Sequence, residues 1–234
     1  MEHGLLFKEV TVEIKRFIWD IVDTNSWLIV EQNKGLLIDA VDSDLLFDAI
    51  ADLDELIVIL THAHFDHIAG LNKIRQLRPD AKVMTTASGS RKLGNKYKNM
   101  SSTAEVFLTF YHKGEYSGVK IDPITCDPAD MTFENDCELA WCGHKVKMTA
   151  VYGHSDDGLI AAVDDTILFS GDTLLNIPTA TRLPSGNGRR FWFEDVPMLR
   201  RMSGIQKVYP GHGDPGRLED MLAINNMPER YREE

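Results

Sequence analysis

The stretch Leu56-Ile57-Val58-Ile59-Leu60-Thr61-His62-Ala63-His64-Phe65-Asp66-His67 decides how this chain folds. Its first half is a short apolar run of the kind that forms a buried strand. Directly behind it, His62, His64, Asp66 and His67 fall within six positions. Imidazole and carboxylate are the side chains that hold borderline divalent metals such as zinc. Four of them on one short turn exceed what a single open site accommodates, so the spacing points to two metals. His62 and His64 are two apart and face the same way on extended backbone. Asp66 and His67 sit where the chain turns towards a helix and can aim at a neighbouring ion.

Strand and helix signals continue on either side. Downstream, Ile68, Leu71, Ile74 and Leu77 recur at helical spacing as far as Arg78, and Pro79 stops the helix. Upstream, apolar and polar residues alternate from Thr11 to Ile18. Strands then follow over Trp27 to Val30 and Leu36 to Ile38, around the hairpin chemistry of Gln32-Asn33-Lys34-Gly35. Asp42-Ser43-Asp44 offers caps for a helix carrying Leu45, Leu46, Ala49 and Ile50. Strand signals return at Cys137 to Cys142, Lys145 to Val151, Leu159 to Val163 and Thr166 to Phe169, with a turn at Gly143-His144. A helix over Glu194 to Met202, a strand over Gln206 to Tyr209 and a helix over Leu218 to Asn225 close the chain. The pattern predicts one domain over residues 1–234. Residues 86–130, rich in Lys, Asn, Ser and Tyr, read as an irregular insertion with a helical stretch at Thr103 to His112 and a basic cluster of Arg91, Lys92, Lys96 and Lys98.

Potential ligands recur at later strand ends. Val146 to Val151 leads through Tyr152-Gly153 to His154, Ile167 to Phe169 leads through Ser170-Gly171 to Asp172, and Val208-Tyr209-Pro210-Gly211 leads to His212. Loops beyond the carboxyl ends of strands are where α/β proteins usually place their sites. A glycine before each of these ligands lets the backbone turn tightly.

Leu36-Leu37-Ile38-Asp39, the His-rich segment at 61–67, Gly153-His154-Ser155, Gly171-Asp172-Thr173 and Pro210-Gly211-His212-Gly213 together resemble the metallo-β-lactamase fold superfamily, in its glyoxalase II-like dinuclear branch. The resemblance implies an α/β (α+β) architecture, a four-layer αββα sandwich with two mixed sheets face to face. It also implies a ligand set. His62, His64 and His154 would bind one metal, Asp66, His67 and His212 the other, and Asp172 would bridge. Two divalent ions are expected, zinc first, with iron and manganese accepted by the same donors. Of the remaining histidines, His144 reads as a hairpin-turn residue, His3 as terminal, and His112 as a candidate to face the cleft.

The bulk composition narrows the partners. A hydrophobic content of 43% with 26% charged residues suits a globular protein with a sizeable core. The net charge of −11 disfavours nucleic acid and anionic membranes. No run approaches the ~20 apolar residues of a membrane span, and the first residues lack a signal-peptide apolar region, so a cytoplasmic protein is expected. Cys126, Cys137 and Cys142 show no paired spacing and read as reduced, buried or half-buried thiols. No feature specifies an oligomer.

The expected activity is hydrolysis by a hydroxide bridging two ions, cleaving a small ester, thioester, lactone or related bond. Asp66 is expected to orient that nucleophile and pass a proton to the leaving group. The local charge of about +1 favours a neutral or singly anionic small-molecule substrate. An intact Asp172 fits glyoxalase-like enzymes, lactonases and phosphodiesterases better than true β-lactamases. The short tail after His212 speaks against the helical subdomain with which typical glyoxalase II grips glutathione. Alternatives are an iron-dependent persulfide dioxygenase, and a phosphodiesterase or β-lactamase-like amidohydrolase. Substrate contacts are expected from Tyr97, Tyr111 and the basic cluster, and from Arg182, Arg189 and Arg190 beside Phe191-Trp192-Phe193. Asp156 and Asp157, next to His154, read either as partners of the ligands or as surface charges.

Overall fold

The computed structural model describes residues 13–111 and 120–225. His3, His112 and the first residues of the N-terminal strand lie outside the described residues. Two mixed sheets form. The first runs β1 (Ile14–Trp19), β2 (Thr24–Glu31), β3 (Lys34–Ile38), β4 (Glu55–Ile59), β5 (Lys82–Thr86) and β6 (Met131–Phe133), in that spatial order. The meander β1-β2-β3 is antiparallel, and β3 to β6 are parallel. The second has the order β11 (Lys207–Pro210), β10 (Ile167–Gly171), β9 (Gly158–Val163), β8 (His144–Val151), β7 (Asp136–Trp141), with only β10 and β11 parallel.

Period-two alternation sorts the side chains into layers. Trp27, Ile29, Leu36, Ile38 and Ile59 of the first sheet meet Val146, Met148, Leu159, Ala161 and Phe169 of the second in a central core. The alternate residues Leu28, Leu37, Leu56 and Val58 point outward under α1 (Asp44–Ile50) and α2 (Leu71–Leu77), with Leu93 of α3 (Ala87–Leu93) in the same core. On the far side, Ile160, Ala162, Leu168 and Val208 are covered by a helical segment and by a C-terminal helix. The segment runs from α5 (Gly188–Arg190) through a π-type stretch Phe191–Asp195 into α6 (Val196–Arg200), and the C-terminal helix is α7 (Leu218–Ile224). The result is the αββα sandwich expected.

Several boundaries differ from the sequence pattern. The hairpin turn is the pair Gln32-Asn33, both at positive φ as a type I′ turn requires, while Lys34 and Gly35 already belong to β3. Phe65–His67 forms one tight 3-10 turn, so α2 starts at Leu71 rather than Ile68. Residues 86–130 hold α3, a 3-10 turn at Ser101–Thr103 and α4 (Ala104–Tyr111). β5 and β6 carry no clear sequence signal, being short strands completed only by parallel pairing, β5 with β4 and β6 with β5. Cys126 is buried, which pushes its thiol up to about 11, and Cys137 and Cys142 are half-buried. Among the described residues no helix is long and apolar enough to cross a membrane.

His144 is more than a turn residue. The turn itself is Cys142-Gly143, both at positive φ. The His144 ring bridges the sheets, with Nδ1 2.6 Å from Asp164 in the β9–β10 turn and Nε2 2.6 Å from Glu31 of β2. Burial works against the imidazolium, but hydrogen bonds to Asp164 and Glu31 outweigh it and raise the pKa above the usual value. A raised folded-state pKa gives stability that is complete below the unfolded value of ~6.5 and is lost as pH rises through the folded value. His144→Gln is therefore expected to lower Tm by roughly 2–4 °C near pH 6, with the gap to the parent narrowing on alkalinisation. Thermal melts across a pH series check this, and a gap that stays constant would contradict it.

Candidate metal centre

Four strand ends converge at one edge of the sandwich. His62 and His64 follow β4, Asp66 and His67 occupy the 3-10 turn behind them, His154 follows β8, Asp172 follows β10 and His212 follows β11. All seven side chains come together. Three groups, His62–His64–His154, His62–His67–Asp172 and Asp66–His67–His212, each have ligand atoms within 4.8 Å of one another, and every member is buried except the half-buried His212. Asp172 stands between the groups. Its Oδ2 is 3.5 Å from His154 Nε2 and 3.4 Å from His212 Nε2, and its Oδ1 is 3.4 Å from His67 Nε2.

Each imidazole is held by its outward nitrogen. His67 Nδ1 donates to Asp39 Oδ2 at 2.8 Å, His154 Nδ1 to the Ala180 carbonyl at 2.9 Å, and His212 Nδ1 to the Val22 carbonyl at 3.0 Å. Thr61 Oγ1 donates to Asp39 and lies 3.1 Å from His62 Nδ1, so Asp39 orients two ligand rings at once. These partners present Nε2 of His62, His67, His154 and His212 inward. His64 is reversed: its Nδ1 is 3.0 Å from His62 Nε2 and 3.2 Å from His154 Nε2, and its Nε2 faces Ser185 Oγ at 3.3 Å. Asp66 Oδ2 accepts from Thr24 Oγ1 at 2.8 Å. Such outer partners fix tautomer and ring angle around a metal.

The backbone is equally constrained. Asn25 N donates to the Gly211 carbonyl at 2.7 Å, and Asn25 Nδ2 and Trp27 Nε1 both donate to the Pro210 carbonyl, tying the His212 loop to β2. A Cβ on Gly211 would lie 2.2 Å from Asp172 Oδ1, so only glycine lets the His212 loop pass this close. A Cβ on Gly153 would collide with Phe191 and with Asp195, whose Oδ2 accepts from Gly153 N at 2.7 Å. Burial pushes the Asp195 carboxyl up to about 6.

The donor set fits divalent cations. His67 Nε2 and Asp172 Oδ1 are buried without a hydrogen-bond partner. Orphaned groups of this kind are costly unless something else satisfies them. Ligand atoms each ~2.0–2.1 Å from a tetrahedral ion lie about 3.3–3.4 Å apart, close to the separations found here. The charges agree. Burial holds His62, His64 and His154 neutral, His64 down at about 3, which keeps their lone pairs available. Burial would raise the Asp66 and Asp172 carboxyls, but His67 and His212 hold both below the usual range. In turn Asp172 and Asp66 lift His212 to about 10 against burial, and Asp66, Asp39 and Asp172 lift His67. The carboxylates thus demand positive charge, which protons supply here and metal ions can supply instead.

A cavity of about 420 Å3 opens on His64, Asp66, His154, Asp172 and His212, and Arg182, Arg189 and Arg190 are not among the described residues lining it. Arg190 stacks over Tyr152 at 4.1 Å and pairs with Glu194, and Arg189 sits 5.3 Å from the Phe193 ring centroid. Arg182 is exposed. Phe191 and Trp192 are core residues rather than part of a clamp. Tyr97 is exposed and lines a different pocket with Arg91 and Lys98.

Lys92 is not part of a solvated basic cluster. It is buried, and its Nζ donates to Asp157 Oδ1 at 2.6 Å, to Ser155 Oγ at 3.3 Å and to the exposed Asp156. Asp157 is 0% exposed, and its Oδ2 accepts from Ala63 N at 2.9 Å, between His62 and His64. Burial would raise the Asp157 carboxyl, and Lys92 holds it below the usual value. Asp157 thus fixes the backbone between two ligands, a role that local sequence could not separate from a surface charge. Removing one partner of a buried ion pair typically costs ~3–5 kcal/mol. Lys92→Met is expected to lose that much in urea unfolding, and Lys92→Met with Asp157→Asn to recover most of it. Equal losses in the two variants would contradict the pairing.

The sequence profile of the metallo-beta-lactamase superfamily matches residues 19–212. The beta-lactamase-like protein 2 homolog of Drosophila melanogaster is 25% identical over 224 residues, covering 88% of this chain and 66% of that protein. The hydroxyacylglutathione hydrolase of Francisella tularensis subsp. novicida (strain U112) is 23% identical over 205 residues, covering 86% and 68%. The chain therefore spans about two thirds of the length of these curated relatives. Among solved structures, BLEG-1 B3 metallo-beta-lactamase superposes with a TM-score of 0.71 at 22% identity over 91% of this chain and 98% of the other. TTHA1623 in a di-iron-bound form superposes with a TM-score of 0.68 at 22% identity over 90% and 98%. The match runs through every strand end that carries a ligand, from β4 to His212, and on that ground the chain belongs to the metallo-beta-lactamase superfamily.

Proposed function

We propose that this protein is a dinuclear metal-dependent hydrolase that cleaves a small ester, thioester, lactone or related bond. The observation that carries the proposal is the Asp172 carboxylate, within 3.5 Å of His154 in one ligand group and of His212 in the other. His62, His64 and His154 would hold one ion, Asp66, His67 and His212 the second, and Asp172 both. Zinc suits the nitrogen and oxygen donors, and a neighbour of this fold in a di-iron-bound form makes iron the next choice. When bound, two such cations make water nucleophilic near neutral pH and polarise the scissile carbonyl.

The chain's own groups do the positioning. Asp66 lines the cavity, with Thr24 fixing its Oδ2, and would orient the attacking water and relay its proton to the leaving group. Asp39, Thr61, Ala180 and Val22 keep the imidazoles in the tautomers that ligation needs. The similarity to hydroxyacylglutathione hydrolases supports acyl transfer to water as the reaction class.

A second reading has one observation in its favour. His62, His67 and Asp172 form a two-histidine, one-carboxylate group, a donor set that suits non-haem iron in an oxygenase of the persulfide dioxygenase kind. Metal content separates the two. Purified protein given excess metal is expected to hold close to two ions per chain and to hydrolyse members of an ester, thioester and lactone panel. One iron per chain with oxygen uptake would favour the oxygenase instead.

Asp172→Ala is expected to keep the parent's circular dichroism while second-ion occupancy and hydrolysis fall together, turnover by at least ~100-fold. Metal analysis beside steady-state kinetics tests this. A variant that retained two ions and normal turnover would exclude Asp172 as the shared ligand.

A further inference from the structure

The cavity in front of the ligand cluster has a second wall, and that wall is apolar. Phe65, Met100, Leu108, Leu175, Ile177 and Leu183 line it. Phe65 and Met100 belong to a small apolar cluster with Ala104, against which Trp19 packs, so these two lining residues are backed by packed side chains. Ile177 is 55% exposed and stands at the rim. No lysine or arginine is among the described lining residues, and the one charged side chain there outside the ligand set is Asp23. Arg91 and Lys98 line a neighbouring pocket that shares Met100 but none of the ligands.

A substrate group entering this cavity exchanges water for hydrocarbon. An aliphatic chain gains from that transfer. A carboxylate would lose its hydration, meet no cation among the described lining residues outside the ligand set, and face Asp23. We infer that the cavity is an acyl subsite, and that the substrate presents an uncharged, medium-length aliphatic acyl group to the ligand cluster. This rests on the hydrolase reading above and narrows it. For a thioester, water adds to the acyl carbonyl, a new carbon–oxygen bond forms and the carbon–sulfur bond breaks. The products are a carboxylate and a thiol, with one proton released and no change of oxidation state.

The test uses metal-loaded protein and thioesters of one neutral thiol, N-acetylcysteamine, with acetyl, butanoyl, hexanoyl and succinyl groups. In parallel, calorimetry measures binding of the non-hydrolysable S-ethyl, S-butyl and S-hexyl thioethers of the same thiol. Burial of a methylene predicts a rise of about three- to fourfold per added methylene, both in kcat/KM through hexanoyl and in thioether affinity. Succinyl is expected to be at least tenfold slower than butanoyl. Ile177→Asp, at an exposed rim position, and Leu183→Asp are expected to flatten both chain-length slopes. Thioether affinity independent of chain length, or succinyl turned over as fast as butanoyl, would overturn the acyl subsite. Chain-length-dependent thioether binding without turnover of any thioester would leave the subsite standing and remove the thioester branch of the hydrolase reading, which the ester and lactone panel tests separately.

Discussion

Asp39, Asp66 and Asp172 are three buried carboxylates gathered around the imidazole of His67, and their mutual repulsion is the constraint on which the rest of this structure depends. Buried anions at this spacing persist only if cations or hydrogen-bond donors offset them. Part of the offset comes from His67 and His212, and part from hydroxyl and backbone donors such as Thr24, Thr61 Oγ1 and Thr61 N. What remains is an orphaned nitrogen on His67 and an orphaned oxygen on Asp172, both directed at the space the ligand groups share. A site so arranged is most stable with divalent cations in it.

The fold makes this arrangement possible by bringing strand ends from two sheets to one edge. Neither sheet contributes all the ligands: β4 delivers His62 to His67, while β8, β10 and β11 deliver His154, Asp172 and His212. Their relative positions therefore depend on the central core between the sheets, and on cross-sheet ties such as Asn25 to Gly211 and Leu159 to Thr61. The outer layers are engaged too. Lys92 on α3 holds Asp157 against Ala63, and Asp195 at the end of the π-type stretch holds Gly153, so one residue of each helical layer fixes a loop carrying first-group ligands. A π-type stretch inside a helix is a frequent companion of functional sites, and here it aims Asp195 at the His154 loop.

The candidate ligands are legible in the sequence because their chemistry is local. Imidazoles and carboxylates directly after apolar strands, with glycines before the last three, announce themselves at each strand end. The strands of the meander and of the second sheet were legible for the same reason, through alternation within each segment. What could not be read locally was pairing between distant segments. Lys92 and Asp157 are 65 positions apart, and in sequence Lys92 looks like one more cation in a basic run. Arg189 and Arg190 beside aromatic residues suggest a substrate clamp, yet Arg189 stacks on Phe193 along the helical segment and Arg190 on Tyr152 at the end of β8. β5 and β6 become strands only through parallel partners supplied by the rest of the sheet. The apolar wall of the cavity draws on residues from Phe65 to Leu183, each unremarkable on its own.

On the proposed reading, Asp172 joins two ions held by nitrogen and oxygen donors alone. X-ray absorption on protein loaded with two equivalents of zinc tests it most directly. The expected spectrum shows a shell of nitrogen and oxygen ligands at ~2.0–2.1 Å, no sulfur shell, and a metal–metal vector of about 3.5–4 Å. Fully loaded protein without that vector, or with sulfur in the first shell, would contradict it.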